Sequence, residues 1–94
     1  MEYYVKSVVP IIEKNYDKFT TVEKSIADFF LHNQEKVDLS SKAMADRLYV
    51  SEASLSRFAQ KCGYRGYREF VYQYEVTFVE KHESIYRLDM HLKK

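Results

Sequence analysis

The chain has 94 residues, of which 46% are apolar, 16% aromatic and 31% charged, with 15 basic side chains balanced by 14 acidic ones. This length allows one small domain with a single core, but not a core together with a roomy catalytic cleft. Only two glycines and one proline interrupt the chain. The composition therefore favours an all-α fold, a compact bundle of about five helices, over a disordered chain.

The single cysteine, Cys62, excludes an internal disulfide and a cysteine-based zinc site. Its place among the apolar positions of a helix predicts a buried small side chain rather than a reactive thiol. No apolar run approaches the roughly 20 residues of a membrane span, and no signal-peptide pattern precedes the first predicted helix. We therefore expect a cytoplasmic protein.

Two helices are predicted first along the chain. Apolar residues at helical spacing indicate a short helix over about residues 8 to 17, with Pro10 near its start, where proline is tolerated. Residues 1 to 7 either extend this helix or form an arm. Thr20 and Glu23 then form a capping-box pattern, followed by an apolar stripe that ends near His32. A polar loop is predicted to follow.

Residues 40 to 67 have the order of a helix-turn-helix. Ser40 is predicted to cap a helix over about 41 to 48, and Ser51, after a tight turn, a second helix over about 52 to 62. One side of this second helix is apolar: Leu55, Phe58, Ala59 and Cys62. The other side is small, polar and basic, as entry into the major groove of DNA requires: Ala53, Arg57 and Gln60, flanked by Ser54, Ser56 and Lys61.

The charges are distributed unevenly along the chain. Residues 41 to 68 carry six basic and two acidic side chains, a net +4, whereas the remaining residues sum to −3. A local excess of positive charge is typical of a domain that meets phosphates on one face. A solvated basic face without a partner is the alternative.

A last helix, predicted over about 67 to 82, carries two apolar stripes. The first is expected to face the core: Tyr67, Phe70, Val71, Tyr74 and Phe78. The second contains Tyr72, Val76 and Val79. Because a domain of this size covers only one stripe, we expect the second to form a homodimer interface. The alternatives are another domain of the same polypeptide, residues 84 to 94 folded back, or scattered surface aromatics.

A set of residues at fixed spacing runs through these helices. Its members are Thr20, Glu23, Ile26 and Ala27; then Ser40, Met44 and Ala45; then residues 50–55 (VSEASL) with Arg57 and Phe58; and then residues 61–64 (KCGY) with Gly66, Tyr67, Glu69 and Phe70. The set resembles the N-terminal domain of RpiR-type bacterial transcriptional regulators, over about residues 8 to 80. Tyr49 stands where that family often has glycine.

The resemblance implies sequence-specific binding of double-stranded DNA by residues 1–83, and control of genes for sugar or sugar-phosphate metabolism. In that family a phosphosugar effector binds a following sugar-isomerase-type domain. Residues 84–94 are then a linker or the start of that domain, and we expect that the chain is a truncation. We predict base reading by Ala53, Ser54, Arg57 and Gln60, with Arg57 on a guanine edge. Phosphate contacts are predicted for Lys42, Ser51, Ser56, Lys61, Arg65 and Arg68.

Enzymatic chemistry finds little support in the sequence. His32, His82 and His91 are far apart and lack further metal ligands at helical spacing, and phosphate-loop and nucleophile-elbow motifs are missing. We expect no catalytic residue, metal or cofactor. A helical protein-interaction module without DNA binding is the alternative function. RNA binding is disfavoured, because Phe58 and Tyr64 are predicted to be buried rather than displayed for stacking.

Overall fold

The computed structural model describes residues 8–76, which form helices and short connections without any strand in that range. The elements in chain order are α1 (Val8–Asn15), a 3-10 turn (Tyr16–Lys18), α2 (Thr21–His32), α3 (Ser41–Leu48), α4 (Glu52–Lys61) and α5, which begins at residue 67 and continues to residue 76. The predicted all-α bundle is confirmed. The last residues of the final predicted helix lie outside the described range.

The first helix is shorter than the predicted span of 8 to 17. The side-chain amide of Asn15 donates to the carbonyl of Ile11 at 2.8 Å, which satisfies an acceptor at the end of α1. The chain then tightens into the 3-10 turn, closed by a 3.1 Å bond from the Phe19 amide to the Tyr16 carbonyl. This turn places Phe19, which is 5% exposed, in the core.

The start of α2 confirms the predicted capping box. The Glu23 amide donates to Thr20 Oγ1 at 3.1 Å, and the Thr20 amide donates to Glu23 Oε1 at 2.9 Å. Two amides that have no acceptor within the helix are thereby satisfied. Unlike most capping residues Glu23 is buried, at 2% exposure.

The helix-turn-helix has the predicted caps. Ser40 Oγ accepts from the Ala43 amide at the start of α3, and Ser51 Oγ accepts from the Ser54 amide at the start of α4. Between the helices Tyr49 adopts the left-handed conformation, with φ of 59°. The Val50 amide then bonds to the Ala45 carbonyl at 3.0 Å, which closes the end of α3.

Gly63 follows the end of α4 in the left-handed conformation. Its φ is 97°, a conformation that glycine adopts without steric cost. The Gly63 amide bonds to the Gln60 carbonyl at 2.9 Å, and the Tyr64 amide bonds to the Ala59 carbonyl at 3.1 Å. This pair of bonds is a Schellman motif. It ends α4 one residue before the predicted boundary, with Cys62 as the capping residue.

Aromatic rings join α4 to the rest of the bundle. Phe58 is fully buried, and its ring centroid lies 5.0 Å from that of Phe19, 6.1 Å from that of Phe30 and 5.1 Å from that of Phe70. These contacts connect α4 to α2, to α5 and to the turn after α1. The outer face of α4 is therefore held on a rigid support.

Two tyrosine hydroxyls of α5 fix the connection between α2 and α3. The Tyr67 hydroxyl donates to the Leu39 carbonyl at 2.8 Å, and the side-chain amide of Asn33 donates to the Tyr74 hydroxyl at 2.9 Å. Both rings are buried, so their hydroxyls need partners inside the protein. Burial raises the pKa of Tyr67 and of Tyr74. The loop that leads into the helix-turn-helix is thereby fastened to the core.

Candidate nucleic-acid interface

Helix α4 divides its side chains between the core and the solvent. Leu55 and Phe58 are fully buried, whereas Ala53, Arg57 and Gln60 are exposed. These three lie four and then three residues apart, so they share one face of the helix. Ala53 adds little bulk near the N-terminus of α4, and the backbone there can approach the edges of bases closely.

Ser54 does not lie on the exposed face, contrary to its prediction as a base reader. It is 7% exposed, and its hydroxyl lies 2.9 Å from Ser51 Oγ and 3.3 Å from Nη2 of Arg57. A hydroxyl already bonded to two protein groups and shielded from solvent is poorly placed to reach a base. The spacing offered a clue, since Ser54 lies one helical turn before the buried Phe58.

The N-terminus of α4 is open to an anion. The first amides of a helix have no acceptor within it, and the helix dipole favours negative charge there. Ser51 is exposed, and its hydroxyl already accepts from the Ser54 amide at 3.0 Å. The carboxylate of Glu52, also in this first turn, accepts a 2.8 Å bond from the Ser41 hydroxyl. That bond ties the start of α3 to the start of α4.

Gln60 and Arg65 are linked at the far end of the face. The Gln60 side-chain amide donates to the Arg65 carbonyl at 3.3 Å, and the Arg65 backbone amide donates to the Glu69 carboxylate at 2.7 Å. Both residues are exposed. The backbone of Arg65 is therefore fixed, while its guanidinium is on the surface.

The remaining predicted phosphate contacts surround α4. Lys42 and Arg68 are exposed and Ser56 is half-buried. Ser56 and Arg68 line an open groove of about 810 Å³ beside the first turn of α3, together with Ser40 and Ser41. The groove also contains carboxylates: Asp38, Glu52 and Glu75. Its basic and hydroxyl groups thus lie among acidic ones, and only part of it suits a phosphate.

Lys61 occupies a different position from the one its prediction requires. Its Nζ lies 2.7 Å from Glu23 Oε1 and donates to the Lys18 carbonyl at 3.0 Å. Burial raises the pKa of the Glu23 carboxyl, but the hydrogen bonds from Lys61 and Thr20 outweigh burial and hold that pKa below its usual value. The ammonium group is thus already paired with a carboxylate, although 35% of the Lys61 side chain is exposed. This contact gives Lys61 a structural role, and its phosphate contact stays a prediction.

Helix α5 has one covered and one open face within the described residues. Phe70 is fully buried and Tyr74 is 6% exposed, which confirms the core stripe as far as it is described. On the second stripe Tyr72 is 63% exposed and Val76 is half-buried. The third predicted interface residue, Val79, lies outside the described residues.

Other reactive groups have structural roles. Burial raises the pKa of the Cys62 thiol to about 11, which keeps it protonated and confirms its prediction as a buried side chain. The His32 ring nitrogen Nδ1 is hydrogen-bonded to the Asp28 carbonyl at 2.9 Å. In the part of the chain that the structure describes, no group of three acidic, histidine or cysteine side chains could hold a metal ion. Among the helices of residues 8–76, none has the length and apolar character to cross a membrane.

The helix-turn-helix, its caps and the exposed face of α4 agree with a comparison against known families. A model of the rpiR-family helix-turn-helix domain matches residues 6–80. The chain belongs to the rpiR family. It is accordingly a DNA-binding domain of a transcription regulator, and α4 is the second helix of its helix-turn-helix.

Two residues of this rpiR-family domain have roles that were not predicted from the sequence. Glu23 binds Lys61 in addition to capping α2. Tyr49 is the left-handed residue of the turn, and 94% of its surface is exposed. The capping box already accounted for Glu23, and its second partner lies 38 residues away. The left-handed conformation of Tyr49 could have been inferred from the sequence, because the family often has glycine at that position.

Proposed function

We propose that this rpiR-family domain binds a specific sequence in double-stranded DNA by placing α4 in the major groove. The observation that carries the proposal is the exposed face formed by Ala53 and Arg57 on a helix whose opposite face is fully buried. Arginine is the side chain best suited to a guanine, because its guanidinium donates to both O6 and N7. Arg57 reads a guanine, and Gln60 contacts the neighbouring base pair.

Phosphate contacts hold the helix in register on the duplex. Ser51 and the first amides of α4 bind one phosphate, since both lie at the positive end of the helix dipole. Four further exposed or half-buried residues contact the flanking phosphates: Lys42, Ser56, Arg65 and Arg68. Ser54 is removed from the base-reading set because it is buried, and Lys61 is removed from the phosphate set because its ammonium is paired with Glu23.

Membership of the rpiR family supports a role in transcription regulation, and we propose its targets and effector from the resemblance. The domain, at residues 1–83, controls genes of sugar or sugar-phosphate metabolism. Residues 84–94 are a linker to a sensor domain, or the start of that domain, and a phosphosugar binds that sensor. None of the residues assigned above to DNA belongs to the effector site.

We also propose that the domain acts as a homodimer through the second stripe of α5. The exposure of Tyr72, at 63%, supports this role, and Val76 and Val79 complete the stripe in sequence. To read half-sites one helical turn apart, a two-fold symmetric dimer must hold its two recognition helices about 34 Å apart. A self-complementary helix face fixes that spacing.

The DNA proposal is tested with a duplex selected from a random library. Ala53→Leu keeps helix propensity but adds bulk on the exposed face, so cognate affinity should fall at least tenfold with an unchanged melting temperature. Ser25→Leu on α2, also an exposed site, is the matched control and should bind normally. Failure to shift even random duplex at low salt would contradict DNA binding and favour the protein-interaction alternative.

The dimer proposal is tested by sedimentation at micromolar concentrations. We expect a dimer that Val76→Glu dissociates, because a carboxylate placed in a self-contact meets its own copy across the two-fold axis. Glu75→Gln, on an exposed neighbouring position, is the control. A monomeric mass for both the original chain and Val76→Glu would rule out this interface.

A further inference from the structure

Three polar side chains lie along the first two turns of α4, three residues apart: Ser51, Ser54 and Arg57. Ser54 is the middle member, with its hydroxyl 2.9 Å from Ser51 Oγ and 3.3 Å from Nη2 of Arg57. It is also the only one of the three that is buried, at 7% exposure. A buried hydroxyl therefore lies between an exposed capping residue and an exposed guanidinium.

The direction of each hydrogen bond follows from the chemistry of the groups. A guanidinium has donors only, so the Ser54 oxygen accepts from Arg57. The Ser54 proton then needs an acceptor, because a buried donor without one is costly. Ser51 Oγ, at 2.9 Å, is an acceptor within reach. Ser51 Oγ also accepts from the Ser54 amide at 3.0 Å.

We propose that Ser54 is a positioning residue that selects the DNA-reading conformation of Arg57 without touching DNA itself. The inference rests on the proposed role of Arg57 as the base reader. A free arginine side chain loses much rotamer freedom when it binds, and a side chain held beforehand loses less. The Ser54 hydroxyl, fixed in turn by Ser51, holds the guanidinium on the exposed face before DNA arrives.

This role is separable from the capping of α4. The capping bond runs from the Ser54 backbone amide to Ser51 Oγ, and it does not use the Ser54 hydroxyl. Ser54→Ala removes the hydroxyl, leaves the cap in place, and introduces the residue with the highest helix propensity. Its effect on folding should be small, so its effect on DNA recognition can be measured.

The experiment is a double-mutant cycle on the ratio of cognate to random duplex affinity. Ser54→Ala should lower this ratio about threefold to tenfold, the value of one hydrogen bond, with little change in random-duplex affinity. In the Arg57→Ala background, Ser54→Ala should lower it no further. Ser25→Ala deletes an exposed hydroxyl on α2 and should leave the ratio unchanged.

The other outcomes separate the inference from the proposed function. An equal loss from Ser54→Ala with and without Arg57 would mean that Ser54 acts independently, which overturns the inference and leaves Arg57 as the reader. An unchanged ratio for Ser54→Ala, with a clear loss for Arg57→Ala, overturns it as well. If Arg57→Ala itself leaves the ratio unchanged, the base-reader assignment fails and the inference fails with it.

Discussion

The two basic side chains of α4 are held in different ways. Arg57, in the middle of the helix, bonds to Ser54, three residues earlier, and is exposed. At the C-terminus, Lys61 bonds to Glu23 and to the Lys18 carbonyl, 38 and 43 residues away. A local contact orients a cation toward solvent, whereas a tertiary contact uses it to join helices. Positive charge on a recognition helix therefore does not by itself identify a DNA contact.

The two side chains should also support different properties of the domain. Arg57 is exposed, so its removal should change recognition more than folding. Lys61 neutralises the carboxylate of Glu23, a residue that is 2% exposed. An unpaired charge at that buried position would destabilise the fold. Mutation of Arg57 should therefore weaken DNA binding, and mutation of Lys61 should lower stability.

The largest effect is expected at Phe58, whose buried ring holds α4 on the core. Phe58→Ala removes a fully buried ring that contacts Phe19, Phe30 and Phe70, and should cost about 3–5 kcal/mol of stability. Urea unfolding followed by circular dichroism measures the loss. A free energy of unfolding within about 1 kcal/mol of the original would show that α4 is not held by its aromatic face.

The next effect is expected at the C-terminal end. Lys61→Met keeps most of the aliphatic stem but leaves Glu23 buried without its cation. Removing one partner of a fully buried pair costs about 3–5 kcal/mol, and the 35% exposure of the Lys61 side chain lowers our expectation to about 2–3 kcal/mol. Lys36→Met, at an exposed lysine, is the control. Normal stability with weakened binding to all DNA would restore Lys61 as a phosphate contact.

The Lys61 contact should also depend on pH. The pKa of Glu23 is lowered in the folded protein from its ordinary value of 4.5, so the contact stabilises the fold fully above that value. The contribution is lost as the pH falls through the lower folded pKa. The stability difference between Lys61→Met and the original chain should therefore be complete at neutral pH and shrink below pH 4.5. A difference that does not vary with pH would argue against the ion pair.

At Arg57 the expected effect is on DNA binding. Arg57→Ala should weaken cognate binding by about 1–3 kcal/mol and leave the melting temperature nearly unchanged. Arg65→Ala is the informative comparison, because a phosphate contact should weaken cognate and random duplex alike and lower the salt slope by about one. If Arg57→Ala lost stability and affinity in parallel, Arg57 would not differ from Lys61 in supporting binding rather than stability.

The same contrast explains what the sequence predicted and what it did not. The starts of α2 and α3 followed from Thr20 and Ser40, because a capping residue acts within three or four positions of itself. The pairing of Lys61 with Glu23 could not be predicted, because it depends on how α2 packs on α4. Ser54 was misassigned because its burial depends on neighbouring helices, although its spacing from Phe58 offered a clue. Local chemistry was readable, and tertiary partners were not.

The smallest effects are expected in the two turns that flank α4. Both contain a left-handed residue, but the turn before α4 uses Tyr49, at φ of 59°, and the turn after it uses Gly63, at φ of 97°. A side chain at such a position costs about 1–2 kcal/mol, and glycine regains part of that cost in the flexibility of the unfolded chain. Tyr49 is 94% exposed, so Tyr49→Gly removes little packing and should stabilise the domain by about 0.5–1 kcal/mol.

Gly63→Ala makes the opposite change in the other turn. An added Cβ at Gly63 meets nothing within 4 Å, so the expected loss of about 1 kcal/mol reports backbone strain alone. Thermal unfolding of the two variants checks both signs. Cognate affinity is the second measurement, because a stabilised Tyr49→Gly that binds DNA normally would show that the tyrosine is only a strained turn residue. If Tyr49→Gly instead lost affinity while gaining stability, the exposed ring would belong to the DNA interface, and the strain in this turn would have a functional reason.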